Sequence, residues 1–293
     1  MRIVEALDGQ RPAISFEFFP PKSDAAADEL LATIESMRVL RPSFVSITYG
    51  AGGSSRERSL DLVRRIKTEL AVEVMAHLTC AGSTSADLRS YADDLAAIGI
   101  QNVLALRGDP PRDAPDFVAH RGGLAHASDL VALLAQDYTF CVGGACYPET
   151  HTEAPDPAAD LQHLVTKVAA GTSFLVTQLF FENERYFSFV ARARAAGITV
   201  PIVPGIMPIT NYEQICRFTS LCGATIPPRL RAELESCKTD PKALVDLGVA
   251  FTALQCADLL ARGAPGLHFY TLNKSPAVRA VVAALRAEAA LAA

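Results

Sequence analysis

Glu17 stands inside ISFEFFPP (residues 14–21), with Phe16, Phe18 and Phe19 around it, in a stretch that otherwise reads as a buried strand. A carboxylate taken out of water is costly unless it is paired, hydrogen-bonded or protonated. No basic residue is adjacent in sequence. Burial should therefore raise its pKa and make it a candidate proton donor near neutral pH. The plainer alternative is a buried ion pair with a strand-end arginine such as Arg107. Asp109 is the second carboxylate of interest. It follows Gly108, which permits close backbone approach, and precedes Pro110 and Pro111, which stiffen the exit. Its alternative is a turn or cap aspartate. RGD as an adhesion motif would need an extracellular protein and is set aside.

Such groups need elements to position them. Short apolar, β-branched or aromatic runs alternate with stretches of helical period along the chain. The strand-like runs are 13–19, 44–50, 73–79, 102–108, 140–147, 174–180, 201–207 and 267–272. Helical patterns lie near 24–40, 56–70, 85–98, 128–136, 156–170, 183–196, 211–221 and 276–291. Alternation of this kind implies parallel pairing, and eight units fit an α/β fold, the (β/α)8 TIM barrel, with residues 1–293 as a single catalytic domain. Patterns around 228–236 and 240–262 exceed one crossover and predict an extra helix between strands seven and eight. A doubly wound open sheet is the runner-up, but its first strand would end in a glycine turn, and here it ends in FFPPKS.

Barrel chemistry sits at the carboxyl ends of the strands. Those ends carry Glu17, Thr48 with Tyr49, His77 with Thr79, Arg107 with Asp109, Tyr147 with His151, Gln178, Met207, and Tyr270 with Asn273. Singly, Thr48 and Thr79 are good strand residues, and His77 or Gln178 could be satisfied core groups. Together they form a ring of polar and aromatic groups. The 109–127 stretch is a long Pro/Gly/Asp-rich loop of the kind that is often functional. GAGGSS (50–55) lacks phosphate-loop spacing and reads as a strand-to-helix turn capped by Ser54 or Ser55.

Composition removes other classes. A net charge of -5 argues against nucleic-acid binding. The start has no secretory pattern, and the apolar run from Ala195 is broken by Pro201, Pro204 and Pro208, so a cytoplasmic protein without membrane contact is expected. Seven cysteines include no C-x-x-C and no metal-ligand spacing, so no metal is expected. No strand-like run carries the lysine of a Schiff-base aldolase or an H-x-H metal pair.

The blocks SFEFFPPK, FVSITYGAGG, AHLTC, LALRGDPP, YPETHTEA, TQLFF, PGIMPITNY and HFYTLNK, in this order, resemble the methylenetetrahydrofolate reductase family of the short bacterial type along nearly the whole chain. The resemblance implies a flavoprotein of one-carbon metabolism and methionine biosynthesis. Such a protein holds FAD and uses NADH or NADPH to reduce 5,10-methylenetetrahydrofolate to 5-methyltetrahydrofolate by ping-pong hydride transfer. It implies Glu17 as general acid and Asp109 as a carboxylate beside the flavin. It assigns cofactor contacts to Thr48, His77, Arg107, Gly108, Asp109, Ala127, Tyr147, His151, Ala154, Asp160, His163 and Lys167, and substrate contacts to Gln178, Gln214, Phe218 and Lys274. His163 and Thr166 stand where the family suggests asparagine and arginine, and Lys274 where it suggests arginine, a point charge in place of a bidentate fork. A homo-oligomer, dimer or tetramer, is implied, and no S-adenosylmethionine control. The competing enzyme class is a pterin-using methyltransferase barrel without flavin; the competing non-enzyme reading is a partner-binding scaffold.

Overall fold

A strand that pairs in parallel with the next cannot be reached by a tight turn, so each apolar run here is followed by a helix that carries the chain back along the outside. The computed structural model describes residues 1–9, 11–49, 53–108 and 120–287. The first half comprises α1 (Ile3–Leu7), β1 (Ala13–Phe18), α2 (Asp24–Met37), β2 (Phe44–Ile47), α3 (Gly53–Arg65), β3 (Val74–Thr79), α4 (Ser85–Ala97), β4 (Asn102–Leu106) and α5 (Ala127–Asp137). Next come β5 (Cys141–Cys146), α6 (Pro157–Ala169), β6 (Phe174–Thr177), α7 (Asn183–Ala195), β7 (Ile202–Val203) and β8 (Gly205–Ile206). The rest is α8 (Tyr212–Cys222), α9 (Pro228–Cys237), α10 (Pro241–Ala261), β9 (Gly266–Tyr270) and α11 (Pro276–Ala287).

The strands form one parallel sheet in the order β7-β6-β5-β4-β3-β2-β1-β9-β8. Its two ends, β7 and β8, are separated only by Pro204, so the sheet closes on itself through the chain and the fold is a (β/α)8 barrel whose seventh strand is bent. Proline has no N–H to give to a ladder, which makes it suited to a point where a strand changes partner. The seam is sealed by other donors. His268 N donates to the Pro204 carbonyl at 3.0 Å, and Gly205 N donates to Thr177 Oγ1 at 2.9 Å. A Cβ on Gly205 would lie 2.2 Å from the Thr177 carbonyl oxygen, so the seam admits only glycine.

Strand alternation separates two cores. Ile14, Phe16 and Phe18 of β1 face the helices, as do Val45, Ile47, Val74, Ala76, Leu78, Val103 and Ala105. The opposite faces fill the cylinder: Ala13, Phe44, Met75, Leu104, Cys141, Phe174 and Val203 pack together toward its amino end. A third cluster, including Ile209, Ile215, Leu230, Leu234 and Leu244, joins α8, α9 and α10 to the loops after β6 and β8.

Three features depart from the sequence reading. All strands except β3 stop one to three residues earlier, because the chain leaves the ladder to build the mouth: Thr48 N still reaches the Phe18 carbonyl at 3.0 Å, yet lies beyond β2. Helix α1 was not anticipated, being too short for a period to show. Its Ile3 and Leu7, one turn apart, plug the cylinder's amino end. Finally, α10 is long and apolar enough to cross a membrane by length and composition. One side of it is buried against the rest of the fold through Leu244, Gly248, Thr252, Cys256 and Leu259, as a core helix would be. The turn expected from GAGGSS falls in part on residues 50–52, outside the described residues, and α3 begins at Gly53, so Ser54 and Ser55 fall within the helix and not at its cap.

Candidate functional site

The period that buries Phe16 and Phe18 against the helices turns Glu17 inward, and the same rule selects its neighbours. Register sets Glu17 beside Ser46 of β2 and Tyr270 of β9, with Ser15 beside His268 one step below. His77 of β3 shares the inward parity of Met75. A barrel interior is normally filled with branched apolar layers; here one layer, toward the carboxyl end, is polar.

Glu17 Oε2 lies 3.3 Å from His268 Nε2, 3.4 Å from His77 Nε2 and 3.5 Å from Ser46 Oγ. Its side chain is 12% exposed and faces a cavity of about 1100 Å³ at the carboxyl ends of the strands. His268 is fully buried beneath it, with Nδ1 2.8 Å from Ser15 Oγ. The ion pair with Arg107 does not form: that guanidinium is engaged by Glu153, with Nη2 to Oε1 at 2.6 Å.

The expected upward shift of Glu17 is reversed. Burial is the largest single influence and pushes the carboxyl up, but the His268 hydrogen bond, the charges of His77 and His268, and Ser46 together bring it below its ordinary value. The sequence could not show that two histidines meet this carboxylate. His77 moves the other way: burial drives it down to about 4, so it is neutral at neutral pH, and its Nε2 has no partner with hydrogen-bond geometry.

Of the residues assigned from sequence, Glu17, Thr48, His77, Arg107, Gly108, Tyr147, His151, Gln178 and Phe218 line this one cavity. Asp109 lies outside the described residues. Ala127, Ala154, Asp160, His163, Lys167, Gln214 and Lys274 are not among the lining residues. Lys167 turns to the barrel wall, where Nζ donates to the Ala145 carbonyl at 2.7 Å, and burial pulls its ammonium below the ordinary value. Asp160 accepts from His151 N at 3.1 Å, tying α6 to the loop after β5. His163 and Lys274 are exposed.

The cavity has a character that suits a planar ring. Leu104, Leu106, Ala145 and Val176 give it an apolar floor, and His77, Thr48, Tyr147 and Arg107 edge it with polar groups. Gly108, at φ +86°, brings the backbone so near β3 that a Cβ would meet Thr79 Cβ at 3.0 Å. Tyr147 and His151 meet edge to face at 4.6 Å. Volume, apolar floor and glycine cradle all fit a flavin ring. Phe218 on α8 and Gln178, just past β6, border the same space. Gln178 currently uses its Oε1 to accept from Leu179 N at 2.8 Å.

Sequence reasoning missed His268, Ser15, Ser46, Glu153 and Phe19. His268 was detectable: in GLHFY it shares parity with Tyr270, which was singled out. Phe19 was visible, but its exposure was not. It stands 43% exposed at the mouth, pinned by Asn273, whose side chain accepts from Phe19 N at 2.7 Å and donates to Phe19 O at 3.0 Å. Among the described residues no group of His, Cys, Asp or Glu could hold a metal ion.

The family model of methylenetetrahydrofolate reductase matches residues 2–286. A methylenetetrahydrofolate reductase (NADH) of Zea mays is 40% identical over 283 residues, 93% of this chain and 48% of the maize protein. The chain thus spans about half the length of its plant and yeast relatives. The 5,10-methylenetetrahydrofolate reductase of Escherichia coli is 37% identical over 265 residues, covering 89% of this chain and 86% of that protein. Among solved structures, an uncharacterized Clostridium thermocellum protein that binds two copies of 5-methyl-5,6,7,8-tetrahydrofolic acid aligns with TM-score 0.67 at 16% identity, over 98% of both chains. At that identity it shows the fold alone.

Proposed function

Because this chain belongs to the methylenetetrahydrofolate reductase family, we propose that it reduces 5,10-methylenetetrahydrofolate to 5-methyltetrahydrofolate, with NADH or NADPH as electron source and FAD as resident cofactor. One observation carries the reading: a carboxyl group at the carboxyl end of the barrel, facing a large cavity and bound, among the described residues, to no lysine or arginine. A scaffold would have no use for it.

Bound FAD would supply the hydride, accepted from the nicotinamide and passed to the folate on one shared face. The residues edging the apolar floor, Thr48, His77, Arg107, Gly108, Tyr147 and His151, would hold the ring. Asp160 and Lys167 on α6, with Ala127 at the start of α5 and Ala154 in the loop after β5, are the proposed contacts for the rest of that cofactor, and Lys167 would have to leave the Ala145 carbonyl to reach it. Asp109 keeps its proposed place beside the ring. Gln178 and Phe218 would border both substrates in turn; Gln214 and Lys274 are proposed for the folate's outer parts. Glu17 would protonate the bridging nitrogen of the folate as its five-membered ring opens, leaving an electrophilic methylene carbon for hydride. The apolar floor excludes water from that carbon.

Residues 1–293 are proposed as one catalytic unit that forms a homo-oligomer and works in the cytoplasm. The other reading is a methyltransferase barrel using a pterin without flavin, prompted by fold neighbours such as a Xanthomonas albilineans dihydropteroate synthase solved with 7,8-dihydropteroate (TM-score 0.54, 16% identity, 97% of this chain). An absorbance spectrum decides between them. The reductase is yellow as purified and bleaches under NADH or NADPH, then recovers colour with the folate; colourless protein that cannot be loaded with FAD overturns it.

A further inference from the structure

The proposed function requires Glu17 to deliver a proton, yet its surroundings favour the carboxylate. The proton must be kept elsewhere, and the layer beneath supplies a place. His268 has no exposed surface. Its ring is held between Phe44, stacked at 6.0 Å and 18°, and Tyr270, edge-on at 5.5 Å and 90°. Both ring nitrogens meet oxygen: Nδ1 lies 2.8 Å from Ser15 Oγ, and Nε2 lies 3.3 Å from Glu17 Oε2. The Ser15 hydroxyl has an acceptor of its own in the Leu267 carbonyl at 3.3 Å, so Ser15 Oγ is free to accept from Nδ1. An imidazolium, donor at both nitrogens, satisfies all of these contacts at once. A neutral ring keeps all three if Glu17 carries the proton; with Glu17 ionised, a neutral Nε2–H ring must take the Ser15 hydroxyl away from the Leu267 carbonyl.

The other elements around the ring bring no rival. Besides the Phe44 ring, β2 brings the Ser46 hydroxyl, 3.5 Å from Nε2, and β8 pairs with β9 here through Gly205 and Ile206. From β3 comes His77, which faces Glu17 and not His268 as hydrogen-bonding partner.

We infer that Glu17 and His268 share one proton, with His268 the store and Ser15 its anchor, so that the acid of the folate step is the pair and not the carboxyl alone. This deepens the reading above and rests on it for the identity of the proton's acceptor. Nε2–H passes its proton to Oε2 and Glu17 passes it on to the substrate nitrogen, ending again as the carboxylate. Within the pair only bonds to hydrogen change; the C–N bond that breaks is the substrate's, as its five-membered ring opens. The ring is left neutral with Nδ1–H still donating to Ser15, and the pair regains its proton from solvent through the cavity. His268 touches no substrate; it is a positioning residue.

The test begins with the ring itself. With [15N]histidine in the full chain, whose six histidines make assignment by single variants practical, both His268 nitrogens should give protonated shifts at pH 7. In Glu17→Gln that signature should vanish at the same pH. In Ser15→Ala it should be lost at lower pH than in the parent, and Ser15→Thr, which keeps the hydroxyl, should restore it. In folate reduction, His268→Gln should slow turnover about tenfold to a hundredfold and shift the acid limb of the pH profile. A neutral His268 at pH 7, or an imidazolium that survives Glu17→Gln, overturns the shared proton even if the enzyme reduces folate. Should the protein reduce no folate while the ring behaves as stated, the function falls and the proton pair stands.

Discussion

Two buried glutamates sit at opposite ends of one barrel. Glu73 lies just before β3 at the amino end, Glu17 near the end of β1 at the carboxyl end, and their side chains are about equally hidden, 10% and 12% exposed. Their partners differ in kind. Glu73 is met by Lys67 Nζ and the Met1 amino group, each at 3.0 Å, and by Asn102 Nδ2 at 3.1 Å. Those are fixed donors, two of them cationic, next to the α1 plug. Glu17 is met by two imidazoles and a hydroxyl, none of them a fixed cation. Burial alone therefore marks neither structure nor function. What separates brace from catalyst is whether the partners of a buried carboxylate can change their protonation.

The comparison breaks most readily on substitution of the two glutamates. Glu17→Gln is expected to slow folate reduction about a hundredfold to ten-thousandfold, while flavin is still bound and still reduced by the nicotinamide; stopped-flow measurement of each half-reaction checks this. If both halves fall together, Glu17 serves structure as Glu73 does. Glu73→Gln should cost about 2 kcal/mol of stability, a value reduced from that of a fully buried pair because Lys67 is partly exposed, with folate reduction retained in the folded protein. Urea unfolding monitored with turnover would show it.

The histidine beside Glu17 sharpens the contrast through pH. His77 holds a folded-state pKa of about 4 against 6.5 when free. Between those values the unfolded chain binds the extra proton and the folded chain does not, so stability rises with pH. The contribution is fully present above pH 6.5 and is lost as pH falls toward 4, for a total of roughly 3 kcal/mol. Glu17, shifted below its ordinary 4.5, adds a slope of the same sign only beneath that value. Unfolding free energies at pH 6.5 and 4.5 should thus differ in the parent and differ much less in His77→Gln.

The smallest effect concerns the mouth. Asn273→Ala removes both hydrogen bonds to the Phe19 backbone and should cost about 1 kcal/mol, with a raised KM for folate more than for the nicotinamide. Equal change in both would remove Phe19 from the substrate's path.

Much of this architecture could be read from periodicity. Every strand-like run of the sequence contains a strand, because a run buried on both faces in a parallel sheet has little freedom in composition. The inward parity of Glu17, Ser46, His77 and His268 follows from the same two-residue period. Helix α1 escaped because five residues make barely more than one turn. The split of strand seven at Pro204 escaped because a change of partner leaves no pattern in one strand alone.

What the sequence determined by itself was therefore the order of strands and helices, the inward face of each strand, and a set of motifs that resemble one family. Only the tertiary structure decided who meets whom across the cylinder. Residues 17, 46, 77 and 268 are up to 251 positions apart, and their separation is set by sheet closure and register. The direction of a titration depends on those distances to within an ångström or so, since hydrogen bonding and desolvation act over that range. For that reason the carboxylate was visible in the sequence, while its meeting with two histidines was not.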